Sequence, residues 1–194
     1  MKYTIRLLIT IPLVSCNPVT HKEPSSNTSS ALNTTHKNPT PPLSDSCKYY
    51  LILSQSLDSM LIKATQYDTS LAIKSNNTFV KCALWCEHDS ISPLYLIKAA
   101  QISHSLGKPT MSEKYLQKII TNYPHSKFIP PAKLLLGQFY ADTKILNKPE
   151  KARELFNSII KDYPRTVWAE NATAALQWIG KSDEEILKEI KRKK

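Results

Sequence analysis

Cys82 and Cys86 lie one turn apart on any helix that runs through them, so both thiols share a face. With His88 close by, that spacing suggests metal ligation. Two cysteines on one helix without a second ligand pair are a weak metal signal, however, and no metal or other cofactor is expected. Two alternatives stand beside it. Cys47 pairs with Cys82 or Cys86 and staples two helices together, or the thiols are inert core residues. Apart from Cys16, three cysteines remain, an odd number for an oxidising compartment. Other catalytic chemistry is missing. The only glycines are Gly107, Gly137 and Gly180, so no phosphate-cradling loop is present. His21 and His36 sit among Ser, Thr and Pro, and His88, His104 and His125 are scattered. Glu150, Glu154, Glu184 and Glu185 fall at helix starts, where the helix dipole accounts for them. No enzyme activity is expected.

The elements that position these residues repeat. Ile119-Ile120-Thr121-Asn122-Tyr123-Pro124 recurs 40 residues later as Ile159-Ile160-Lys161-Asp162-Tyr163-Pro164. The same offset carries Leu96 onto Leu136, Leu106 onto Leu146, Pro109 onto Pro149 and Ala132 onto Ala172. Such a period marks a repeat array, whose units bury their apolar faces on one another. Leu116, Ile119, Ile120 and Tyr123 share one helical face, as do Phe156, Ile159, Ile160 and Tyr163. The prolines after each tyrosine stop the helix, because the residue before proline is driven out of the α region. A second helix follows each stop, with Phe128, Ala132, Leu135, Leu136 and Phe139 on its face, or Trp168, Ala172, Ala175, Leu176 and Ile179.

The run from Tyr123-Pro124 through Ser126 and Phe128 to Ala132, and its copy from Tyr163-Pro164 through Thr166 and Trp168 to Ala172, resembles tetratricopeptide repeats of the bacterial envelope. It is most similar to those of the outer-membrane barrel-assembly lipoproteins (BamD type) and of the division coordinator associated with the Tol–Pal system. The period exceeds the roughly 34 residues of a standard unit. The resemblance implies an all-α fold, a short α-solenoid of tetratricopeptide-like helix-turn-helix repeats behind a disordered N-terminal tether. It also implies a scaffold that binds a protein or peptide partner as part of a multiprotein complex. Tyr95, Lys98, Gln101, Gln138 and Tyr140 are the candidate groove residues. Outer-membrane protein assembly is the first role implied. A division or peptidoglycan-associated coordinator is the alternative, and an envelope hydrolase a remote one.

The N-terminus has its own logic. Lys2 and Arg6 precede an apolar stretch, Leu7 to Val14, that is too short to span a bilayer. It ends in Leu13-Val14-Ser15-Cys16, which resembles a bacterial lipobox. That resemblance implies cleavage after Ser15 and lipid attachment at Cys16, whose several acyl chains hold a protein on a membrane. Asn17 in place of aspartate points to the outer membrane, and the absence of a following acidic run points to its periplasmic side. Residues 1–15 are thus read as a signal peptide. Residues 16–46, rich in Asn, Ser, Thr and Pro and free of glycine, are read as a lipidated cysteine and extended tether.

Residues 47–91 read as an N-terminal helical cap or diverged repeat, with a break expected at Lys74-Ser75-Asn76-Asn77. Residues 92–180 hold the clear repeats. Ser92 is expected to cap the first of their helices, and Thr110 with Glu113 to form a capping box for the next. Residues 181–194 form a closing amphipathic helix opened by a Ser182–Glu185 capping box, with Lys191 to Lys194 at its dipole-negative end. The formal charge is +10. For an exported chain this favours anionic envelope partners over nucleic acid, or simple solvation of the outer surface.

Overall fold

The computed structural model describes residues 43–192. The leader, Cys16 and most of the tether lie outside the described residues. Eight helices follow one another: α1 (Asp45–Lys63), α2 (Thr69–Cys86), α3 (Ser92–Ser105), α4 (Pro109–Asn122), α5 (Ile129–Ala141), α6 (Pro149–Asp162), α7 (Val167–Leu176) and α8 (Asp183–Arg192). No strand occurs among the described residues. From α1 to α7 each helix packs on the next, and α5 also touches α7. This is the all-α arrangement of stacked helix pairs that the repeat predicts.

The period is set by the second helix of each pair. α2, α4 and α6 begin at Thr69, Pro109 and Pro149, 40 residues apart. Three positions recur inside them. Ala72, Ser112 and Ala152 are buried and small. Asn76, Leu116 and Phe156 follow one turn later, then Phe79, Ile119 and Ile159, all buried. The N-terminal pair therefore carries the same register as the later ones.

Helix ends obey local rules. Tyr123 and Tyr163 close α4 and α6 with nearly the same backbone, φ −128°, ψ 57° and φ −130°, ψ 52°. Each amide still donates to the carbonyl of Ile119 or Ile159. Proline cannot donate the next bond, so the helix stops there. α2 lacks the Tyr-Pro pair and runs on to Cys86. Asp68 caps α2, Thr166 caps α7, and Ser182 with Glu185 form the reciprocal box that opens α8.

Three local expectations are corrected. No break occurs at Lys74–Asn77, because α2 is continuous there. The Asn76 side-chain amide is buried but satisfied, donating to Ala99 O and Ser103 Oγ of α3, each at 2.8 Å. A polar run thus serves as an inter-helix tie. Ser92 is the first residue of α3, and its hydroxyl accepts from the His88 amide instead of capping the helix. Thr110 is inside α4, whose cap position is Lys108, and Glu113 turns away to side chains of other helices.

Two helices approach closely at Gly137 of α5. A Cβ built there would lie 2.5 Å from Cε1 of Phe156 in α6. One repeat earlier the same two positions read Ile97 and Leu116, so bulk moves from one helix to the other. Gly137→Ala forces the buried Phe156 ring out of its place. It is expected to cost about 1–3 kcal/mol, read as a lower urea midpoint at unchanged slope.

Candidate functional site

Three elements converge on one polar cluster. Glu113 projects from the first turns of α4, Tyr140 from the end of α5, and Lys148 from the position just before α6. Tyr140 Oη donates to Glu113 Oε1 at 2.7 Å, and Lys148 Nζ donates to the same oxygen at 2.8 Å. Gln117 Nε2 donates to Tyr140 Oη at 3.1 Å. Lys148 and Lys151 also stand over the Tyr140 ring, 5.1 and 5.9 Å from its centroid.

The electrostatics follow from this geometry. Burial acts to raise the Glu113 carboxyl, but the hydrogen bonds from Lys148 and Tyr140 and the charges of Lys148 and Lys151 hold it below its ordinary range. Tyr140 is pushed up to about 12, first by burial and then by the hydrogen bond and charge of Glu113. The tyrosine is therefore a fixed donor at neutral pH, and the carboxylate a fixed acceptor. The effect of the cluster is to lock the α4–α5–α6 junction.

Beside this lock a concavity of about 510 Å³ opens between α4 and α6. Leu136 and Tyr140 of α5 form its floor, with Ile120 and Leu155 on the walls. Gln117, Thr121, Lys151, Glu154 and Ser158 make a polar rim. An apolar floor with polar edges suits a side chain or short segment of a partner.

The groove residues expected from the sequence are placed differently from one another. Tyr95 is buried against the Phe79 ring, centroids 5.3 Å apart, and desolvation raises its hydroxyl. Lys98 is buried in an ion pair with Asp58 of α1 at 2.7 Å. Tyr140 is buried in the lock described above. Tyr95 and Lys98 are thus taken up by contacts of α3 with α2 and α1. Gln101 is exposed and Gln138 half-buried. The floor residue Leu136 and the wall residue Ile120 entered the sequence reading only as core positions of a helical face, and the wall residue Leu155 did not enter it at all.

The cysteines are also placed. Cys47 and Cys86 form a disulfide that joins the start of α1 to the end of α2. Cys82 is a buried free thiol with its sulfur 3.8 Å from that of Cys86, and burial pushes its pKa up. No group of three potential metal ligands occurs among the described residues. No helix among them is long and apolar enough to cross a membrane.

Comparison with protein families gives one match: the tetratricopeptide repeat model aligns with residues 132–166, which cover most of α5, all of α6 and the second Tyr-Pro stop. The chain is tetratricopeptide-like. Comparison with curated proteins and with solved structures gave no match. Tetratricopeptide repeats serve in general as protein–protein interaction scaffolds, and the observed helix pairs are of that kind.

Two measurements check the electrostatics and the staple of this tetratricopeptide-like array. The Glu113 carboxyl is depressed in the folded state, so its stabilisation is fully present above the unfolded pKa and is lost as pH falls through the folded one. Urea midpoints followed from neutral to acid pH should therefore fall more steeply for the wild type than for Glu113→Gln. The Cys47–Cys86 bond closes a sequence separation of 39 residues. Cys47→Ser with Cys86→Ser should cost about 2–4 kcal/mol, read by denaturant unfolding under non-reducing conditions.

Proposed function

We propose that this chain is a lipid-anchored tetratricopeptide-like scaffold of the bacterial envelope that binds a protein or peptide partner. The repeat match over residues 132–166 is the observation that carries the scaffold part of this reading. The anchor rests on the Leu13-Val14-Ser15-Cys16 sequence behind a short basic and apolar leader. The Cys47–Cys86 disulfide supports an exported chain, because such bonds persist in oxidising compartments and are rare in the cytosol. The periplasmic side of the outer membrane is the assigned location, and assembly of outer-membrane proteins the assigned role.

The partner segment occupies the concavity between α4 and α6, placing an apolar side chain on Leu136 and Leu155. Gln117, Thr121 and Ser158 then offer hydrogen bonds at its edge. The binding face shares α5 and α6 with the family match, takes its other wall from α4, and is held in register by the Glu113–Tyr140–Lys148 lock.

Capture of the lipidated protein from its native envelope tests this. The wild type is expected to fractionate with the outer membrane and to bring down barrel-assembly components. Cys16→Ser should appear as unanchored precursor or soluble protein. Ser158→Arg fills the concavity from a half-buried position, so it should reduce capture about tenfold or more while leaving the helical signal and unfolding midpoint unchanged. Recovery of cell-wall or division proteins in place of assembly components would reject the assigned role. A Cys16→Ser protein that stays with the membrane would reject the anchor.

A further inference from the structure

Three sulfur atoms meet where α1 begins and α2 ends. Cys47 and Cys86 are bonded to one another, and the free thiol of Cys82 lies 3.8 Å from the Cys86 sulfur. All three side chains are buried. A thiol in contact with a disulfide is placed for thiol–disulfide exchange, in which one sulfur attacks a partner of the bond and expels the other. A second buried group acts on the same sulfur. Ser54 of α1 is fully buried, and its hydroxyl has no oxygen or nitrogen partner. It stands within reach of Cys82, where its hydrogen bond favours the thiolate over the thiol.

We propose that Cys82 is the nucleophile of an internal exchange site: its sulfur bonds to Cys86, and Cys47 leaves. The step needs no oxidant or reductant. One sulfur–sulfur bond breaks as another forms, and the proton that Cys82 gives up to solvent is replaced by one taken up on the departing Cys47 thiolate. The direction follows from the helix ends. Cys47 is the third residue of α1, in the turn capped by Ser44, whose side chain accepts from the Cys47 amide at 3.2 Å. The positive end of a helix stabilises a thiolate, which makes Cys47 the better leaving group. Cys86 is the last residue of α2, at the negative end, where a thiolate is disfavoured. The sulfur that Cys82 touches is therefore the one to be attacked.

The surroundings set the rate. Burial raises the Cys82 thiol, and the Tyr95 hydroxyl of α3 is close enough to feel its charge. Asp58 of α1, which also bears on Tyr95, is paired with Lys98 at 2.7 Å. The closed structure is therefore slow to exchange. The product sets a second condition. Residues four apart on a helix hold their Cβ atoms about 5–6 Å apart, whereas a disulfide needs about 3.5–4.5 Å, so the last turn of α2 must tighten. Cys86 ends the helix, and Glu87 already turns the chain into the left-handed region at φ 35°, so only a terminal turn has to yield. The Cys47–Cys86 form is the resting one. Exchange frees the start of α1 from α2 without an external reductant, which makes the staple releasable. The inference rests on these sulfurs alone and is independent of the lipid-anchor reading.

The test uses the full chain with Cys16→Ser, which leaves only these three cysteines. It is held in native buffer free of other thiols, with N-ethylmaleimide, for hours, the time scale of uncatalysed disulfide rearrangement. Peptide mapping then locates the label and the bond. The expected result is label on Cys47 with Cys82 bonded to Cys86. Ser54→Ala should slow this labelling about tenfold, the loss of one hydrogen bond to a charged group, at an unchanged unfolding midpoint. Cys82→Ser should keep the Cys47–Cys86 bond and take no label. Label confined to Cys82 would make it an inert core thiol, reached only when the fold opens, and would overturn the proposal. Label on Cys86 with Cys47 bonded to Cys82 would reverse the leaving group and overturn it as well. Label on Cys47 in the Cys82→Ser chain would show that Cys47 is freed by another route, with the same consequence.

Discussion

Close approach between neighbouring helices is the constraint on which the structure depends. No helix of this array has a core of its own. Each buries its apolar face against the helices next to it in sequence, so stability is a sum of local contacts. Those contacts require small residues where two backbones meet. Ala72, Ser112 and Ala152 supply them in the second helix of each pair. Gly137 does so in α5, where the Phe156 ring fills the space a side chain would have taken. The Ser112 hydroxyl shows how strict the position is. It is fully buried, and it escapes being a liability only because it donates to Ala100 O at 2.7 Å.

Polar side chains then fix which neighbours meet and at what height. Asn76 ties α2 to α3, Lys98 ties α3 to Asp58 of α1, and Glu113 gathers Tyr140 and Lys148 at the α4–α5–α6 junction. Ser126 Oγ reaches back to Asp89 O, joining successive turns. Lys133 pairs with Asp162 and lies over the Tyr163 ring, anchoring the second Tyr-Pro stop to α5. Apolar contacts alone would allow a helix to slide along its neighbour. Buried groups that each need one partner do not. A rigid stack is what a scaffold needs, since a binding face assembled from several helices is only as well defined as their register.

The two ends of the array differ from its middle in an instructive way. At the N-terminal end of the described helices a covalent bond holds α1 on α2, while large apolar groups of both helices stay exposed. At the C-terminal end, α8 carries Ile186, Leu187 and Ile190 along one side, with Lys181 paired to Glu189 as a tie to the preceding segment.

The sequence by itself determined the helix content, the 40-residue period and the helix ends at Tyr123-Pro124 and Tyr163-Pro164. These depend on local sterics and on the spacing of apolar residues, which are written in consecutive positions. It also held the third copy, since Phe79-Val80 precedes Ile119-Ile120 by the same interval. Only the tertiary structure decided that Asn76 belongs to a continuous helix, that Glu113 binds Tyr140 and Lys148 instead of capping α4, and that Tyr95 and Lys98 turn inward. It likewise paired Cys47 with Cys86 over Cys82, two sulfurs on one helical face that sequence spacing cannot tell apart. The reason is the same in each case. A helical face can be read from its own residues, but whether a polar residue on it finds a partner depends on groups tens of positions away that are adjacent only after the helices have stacked.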